Sequence, residues 1–210
     1  DDVWKPDKIY LTLQKMEALE ARYGDKTPIL VHSDLSVVDS NLEMIAESFF
    51  QYANIPKRIV LNQLMVQNSV TGCTMMCNKK LIAGISEYAS SEYIIMHDYL
   101  AALYASVFGK IEVIKKPLLS YRQHSGNSVG AKNNNNPVYL LKRLANGRKS
   151  YKEAMETSRN QVKFFVEIYR EELAAEKYCK EYELMSGYAS LGSRAKLYRI
   201  MFYKKNHIWK

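Results

Sequence analysis

Four consecutive asparagines and a proline, Asn133-Asn134-Asn135-Asn136-Pro137, limit the fold more firmly than any other stretch of this chain. Polar turn-formers with no apolar anchor neither enter a core nor propagate a helix, so residues 133–137 are expected to be a linker. Charge divides at the same place. Residues 1–137 carry 14 basic and 14 acidic side chains, whereas residues 138–210 carry 16 basic and 8 acidic ones, the whole excess of +8. A neutral body suits a catalytic or binding domain, and a basic tail favours a polyanion or an anionic surface.

At 210 residues the chain is long enough to bury roughly 70% of the surface its unfolded form exposes. No disulfide or structural metal is required to hold it. Cys73, Cys77 and Cys179 are an odd number, and Cys73 and Cys77 lack a second pair to complete a zinc site, so reduced thiols are expected. The longest weakly polar run, residues 100–108, is about half of the ~20 residues a membrane span needs. The first residues lack the basic-then-apolar order of a secretion signal. A cytoplasmic location follows as the expectation, peripheral to the inner face of the membrane if the tail meets lipid.

Apolar residues three and four apart, Ile9, Leu13, Met16 and Leu19, with Pro6 ahead and Gly24 behind, predict a helix. Pro28-Ile29-Leu30-Val31-His32-Ser33 predicts a buried strand ending at Asp34, and strand ends are where open α/β sheets bind ligands. Residues 42–53 and 59–67 read as helices separated by Pro56. Residues 71–77 read as a strand or a tight loop, with Gly72 marking a sharp turn or a close approach to a ligand. Asp98 opens a helix that stops at Gly109, and two edge strands follow at 111–114 and 118–121, split by Lys115-Lys116-Pro117. Beyond the linker, residues 138–147, 150–176 and 178–205 read as helices.

Two clusters could carry chemistry. His97-Asp98 stands at a helix start, where a carboxylate either caps the helix or, held on a rigid element, serves as a general base. Tyr121-Arg122-Gln123-His124-Ser125-Gly126-Asn127-Ser128-Val129-Gly130 offers a cation, an imidazole and a glycine-containing polar loop, which reads either as a surface turn or as a wrap for phosphate oxygens.

In order along residues 1–132, Asp1-Asp2-Val3-Trp4-Lys5-Pro6-Asp7-Lys8, Leu30-Val31-His32-Ser33-Asp34-Leu35, Val66-Gln67-Asn68 leading to Thr71-Gly72-Cys73-Thr74-Met75-Met76, Met96-His97-Asp98 and the 121–130 segment resemble family 2 glycosyltransferases of the rhamnosyltransferase-like group that builds cell-surface polysaccharide. The resemblance implies an α/β fold, the acceptor-side part of a glycosyltransferase A-type domain over 1–132, with 138–210 as a basic helical extension. It implies an inverting transfer from a nucleoside diphosphate sugar, UDP- or dTDP-linked, to a glycan or lipid-linked acceptor. On that pattern Asp98 is the base. Asp1 closes an Asp-x-Asp motif that, with His124, holds Mg²⁺ or Mn²⁺; Arg122 and His124 meet the diphosphate; and Gly72, Cys73, His97 and Asp34 border the sugar and acceptor. The family's nucleotide-binding half precedes the position of Asp1, so this stretch is expected to be inactive alone.

Two other readings compete. A His-Asp metal phosphohydrolase needs more ligands than His32, His97, His124 and His207 supply. A non-enzymatic basic module would use the tail, and residues 194–210 can form a helix that lies on an anionic membrane. No nucleic-acid-binding pattern is present, and nucleic acid is not expected as a partner.

Overall fold

The structure is a computed structural model that describes residues 2–55, 59–94, 96–124 and 137–208. Five strands and nine α-helices are described: β1 (Val3–Trp4), α1 (Lys8–Tyr23), β2 (Ile29–Val38), β3 (Met44–Ala46), α2 (Phe49–Tyr52), α3 (Leu61–Leu64), β4 (Met76–Cys77), α4 (Lys79–Ile85), α5 (His97–Phe108), β5 (Lys110–Arg122), α6 (Pro137–Ile168), α7 (Arg170–Leu173), α8 (Cys179–Ala189) and α9 (Lys196–Lys205). The sheet is mixed, in the order β1-β5-β2-β3, with β4 also pairing β2. The protein is therefore of the α/β class.

The first helix forms as its periodicity predicts. Met16 and Leu19 turn inward onto Ile29 and Val31, and Gly24 ends the helix at φ +85°, a backbone region glycine enters without steric cost. Asn78 fixes the entry to β2: its side-chain oxygen accepts from Ile29 N at 3.0 Å and Leu81 N at 3.0 Å, while its amide donates to Thr27 O at 2.9 Å.

β2 does not end at Asp34. It runs on to Val38 and is buried along its whole length. The two expected edge strands are one strand, β5, parallel to β2 and lying inside the sheet between β1 and β2. Their apparent separator is a register shift: Ser33 faces Ile114 while Asp34 faces Pro117. Lys115 and Lys116 are the surplus residues, and the bulge accommodates a proline that has no N–H for the ladder.

Residues 42–53 also depart from expectation, giving β3 and only the single turn of α2; residues 59–67 give only α3. Pro56 and residues 133–136 lie outside the described residues. From Pro137 the chain is one helix of 32 residues, continuous through Gly147 where a break was expected. The C-terminal helices share their core with the body. Leu30, Leu81, Leu100 and Leu103 belong to one buried cluster with Val162, Phe165, Tyr169, Met185 and Tyr188.

Candidate active site at the carboxyl ends of the parallel strands

β2 and β5 finish together, with Val38 opposite Arg122. β1 runs antiparallel to β5, placing Val3 opposite Ser120, so Asp2 arrives at the same end of the sheet. There the Asp2 carboxylate accepts the backbone N–H of Arg122 at 3.1 Å, and its negative charge acts on the thiol of Cys73. Cys73 lies in the short 3-10 turn Gly72–Thr74 and packs against Leu35, Val37 and Leu119. Burial, and next the charge of Asp2, push its thiol up to about 12, so it stays protonated and is no nucleophile at neutral pH.

The turn then reaches the start of α5. Gly72 N–H donates to Asp98 Oδ2 at 2.8 Å, and the Asn68 amide donates to Asp98 Oδ1 at 2.9 Å. The orientation of Asn68 follows from its other contact, because its side-chain oxygen accepts from Val70 N at 3.0 Å and leaves the amide nitrogen for Asp98. Tyr99 pins the same segment through its hydroxyl, which donates to Met65 O at 2.8 Å. Gly72 is small for a local reason: a Cβ there would stand 3.0 Å from His97 Nε2 and 3.3 Å from Asp98 Oδ2. The expectation for this glycine was a sharp turn or a ligand's approach; the groups that crowd it are the chain's own His97 and Asp98.

Asp98 is 3% exposed. Burial raises its pKa above the ordinary carboxylate value, opposed by the Gly72 N–H, the charge of His97, the Tyr99 N–H and the Asn68 amide. Each oxygen accepts one donor from Gly72 or Asn68. His97, beside it, is exposed.

Lys8 and Asn68 stand in the segments that carry the family resemblance, but no role was expected of either in this arrangement. Lys8 opens α1 yet is only 4% exposed; its ammonium lies 3.8 Å from the centroid of the Trp4 ring, and burial lowers its pKa while the neighbouring Cys73 raises it. The signal for Lys8 was the Trp-x-x-x-Lys spacing across a proline-led helix start. For Asn68 the signal was its place in the Val66-Gln67-Asn68 segment, which by itself indicates no partner at position 98.

The expected site residues separate into three groups. Gly72, Cys73, His97, Asp98 and Arg122 are brought to one strand-end region, linked by the contacts above. His124 is exposed two residues past Arg122, and Gln123 N still bonds Val38 O at 2.8 Å, so His124 leaves the sheet at this end. Asp34 has a different task from the acceptor contact expected of it. Its carboxylate accepts from Leu35 N at 2.8 Å, Phe50 N at 3.2 Å and Ser48 Oγ at 2.6 Å, fastening the start of α2 to mid-strand. Asp1 and residues 125–130 lie outside the described residues. Among the described residues no three His, Cys, Asp or Glu side chains converge as a metal site.

Comparison with protein-family models, with curated proteins and with solved structures finds no match to this chain.

Proposed function

We propose that the chain is the acceptor-side part of an inverting glycosyltransferase of the A-type fold, with Asp98 as general base. The observation that carries this reading is that Asp98 bonds Gly72, whose neighbour Cys73 feels the charge of Asp2, and Asp2 bonds Arg122 where the two parallel strands end. Ligands of open α/β sheets bind outside the carboxyl ends of strands, and a base on a rigid helix start is a fit device for that position.

The acceptor hydroxyl gives its proton to the Asp98 carboxylate as its oxygen attacks the anomeric carbon. The bond from that carbon to the nucleoside diphosphate oxygen breaks with its electron pair, and attack from the opposite face inverts the configuration. A carboxylate whose pKa burial has raised is a stronger base than a solvated one. Arg122 supplies positive charge toward the leaving diphosphate, with His124 beside it. A divalent ion belongs to the same reading: Asp1 and His124 would hold it and it would supply positive charge for the departing diphosphate, although among the described residues no cluster of three ligating side chains assembles.

The burial of Asp98 favours a second reading. A carboxylate so enclosed, bracketing Gly72 and Asn68 at a helix N-terminus, serves equally well to fasten the 68–74 segment to α5. Asp98→Asn in the full-length protein separates the two. With a nucleoside diphosphate sugar and a glycan acceptor, the base reading expects turnover of the folded variant to fall about a hundredfold or more while donor affinity stays put; a lowered melting temperature is expected under either reading, because the new amide faces the Gly72 or Asn68 donor. Near-normal turnover measured below the variant's melting transition leaves only the fastening role.

A further inference from the structure

The outer surface of α9 has no use in the transfer reaction. Its inner face is anchored: the Phe202 ring lies so close over Gly187 that a Cβ there would meet it at 2.6 Å, Tyr203 meets Tyr188 at 6.4 Å, and Asn62 donates to Asn206 O at 2.8 Å. Phe202 and Tyr203 thus point into the body, while Tyr198 stays exposed. The aliphatic side chains point the other way. Leu197, Ile200 and Met201 are 70, 42 and 62% exposed, and no residue of this helix is buried. At 100° per residue Leu197, Ile200 and Met201 fall within one stripe together with Lys204, and Lys196 and Lys205 flank it on opposite sides. Arg194 stacks over the exposed Tyr198 ring at 5.5 Å on the neighbouring rim. After Glu183 the sequence contains six lysines and arginines and no acidic residue.

We propose that this face of α9 seats the protein on an anionic phospholipid leaflet, with Leu197, Ile200 and Met201 entering the boundary between headgroups and acyl chains and the surrounding cations meeting lipid phosphates. Charge identifies the occupant. An apolar stripe alone would suit a second copy of the chain, but two copies would bring the same cations face to face with no acid from this segment to offset them. An anionic leaflet meets both the stripe and its rim. No described helix is long and apolar enough to cross a membrane, so the contact lies in the surface plane.

The test is co-sedimentation of the full chain with vesicles of phosphatidylcholine alone, or mixed with phosphatidylglycerol. The protein is expected to pellet with the mixed vesicles only, less so at high salt. Leu197→Gln with Met201→Gln removes apolar insertion without touching the anchored face and is expected to weaken partition by about tenfold or more. Lys204→Gln and Lys205→Gln are each expected to weaken it about fivefold. Circular dichroism checks that every variant folds. Unchanged pelleting of the Leu197/Met201 variant, equal pelleting with neutral vesicles, or a concentration-dependent dimer that the same variant abolishes without any pelleting would each overturn the proposal. So would a gel shift of duplex DNA with no vesicle binding.

Discussion

His32 lies on β2 with no exposed surface, and neither ring nitrogen has a hydrogen-bond partner among the described residues; its ring meets Phe50 edge-on at 5.9 Å. Burial lowers its pKa from 6.5 to about 4. The folded state therefore binds a proton less readily than the unfolded chain. Stability is full above the unfolded value and is lost as pH falls from about 6.5 towards 4, by about 2–3 kcal/mol near pH 4.5. Asp98 works in the opposite sense, because its raised pKa makes the folded state the better proton binder and its contribution is lost as pH rises. Urea unfolding across pH 7.5 to 4.5 is expected to show a falling midpoint in the wild type and a flatter one in His32→Phe, which keeps the ring contact without titrating. Parallel pH profiles for the two would show that His32 is protonated without cost in the fold.

Tyr169, at the end of α6, holds elements together that are remote in sequence. Its ring contacts Tyr88, Tyr104, Phe108 and Phe165 at 5.5, 5.0, 5.7 and 4.7 Å, and its hydroxyl donates to Gly84 O at 2.8 Å. Gly84 has no room for a Cβ, because one built there would run into the Tyr104 ring. Tyr169→Ala is expected to cost about 3–5 kcal/mol in chemical denaturation, by lost burial and a cavity, and Tyr169→Phe only about 0.5–1.5 kcal/mol, the net worth of one hydrogen bond. Equal losses in the two variants would assign the stability to the hydroxyl and not to the aromatic packing. Elements whose cause is local were legible in the sequence: α1 with its terminal glycine, the start of β2, and α5 from Asp98 to Gly109. Elements whose cause is a distant partner were not. Lys115-Lys116-Pro117 reads as a strand break because proline normally lies at sheet edges, and only the pairing of β5 with β2 on one side and β1 on the other makes it an internal bulge. The same holds at the site. Gly72, Asp98 and Arg122 stood out by residue type and setting and Cys73 only through the resemblance, whereas the partner of Asn68 lies 30 residues away, and Asp34 has its oxygens taken by donors at 48 and 50 that no spacing rule connects to it.

For the molecule as a whole, charge and packing divide the chain differently. The charge boundary near residue 137 suggests a body and an appendage, but the largest buried cluster draws Leu30, Leu81, Leu100 and Leu103 from one side of it and Val162, Phe165, Tyr169, Met185 and Leu191 from the other. Long-range electrostatics follows local composition, whereas the core follows whichever apolar faces meet, and α5 is apolar on nearly every face. One face of α5 covers the sheet, and the opposite one needs α6 and α8. Removing residues 137–210 would thus expose the Leu103, Ile85 and Phe108 side of the body, and with α5 loosened Asp98 would lose the rigid footing that places it against Gly72. The full chain is expected to unfold in a single calorimetric transition, and the 1–136 piece to bind a hydrophobic dye and lose its near-ultraviolet circular dichroism. Two resolved transitions in the full chain, or a 1–136 piece with sharp tertiary signals and no dye binding, would mean that the C-terminal helices are an appendage after all and that α5 is held by the sheet alone.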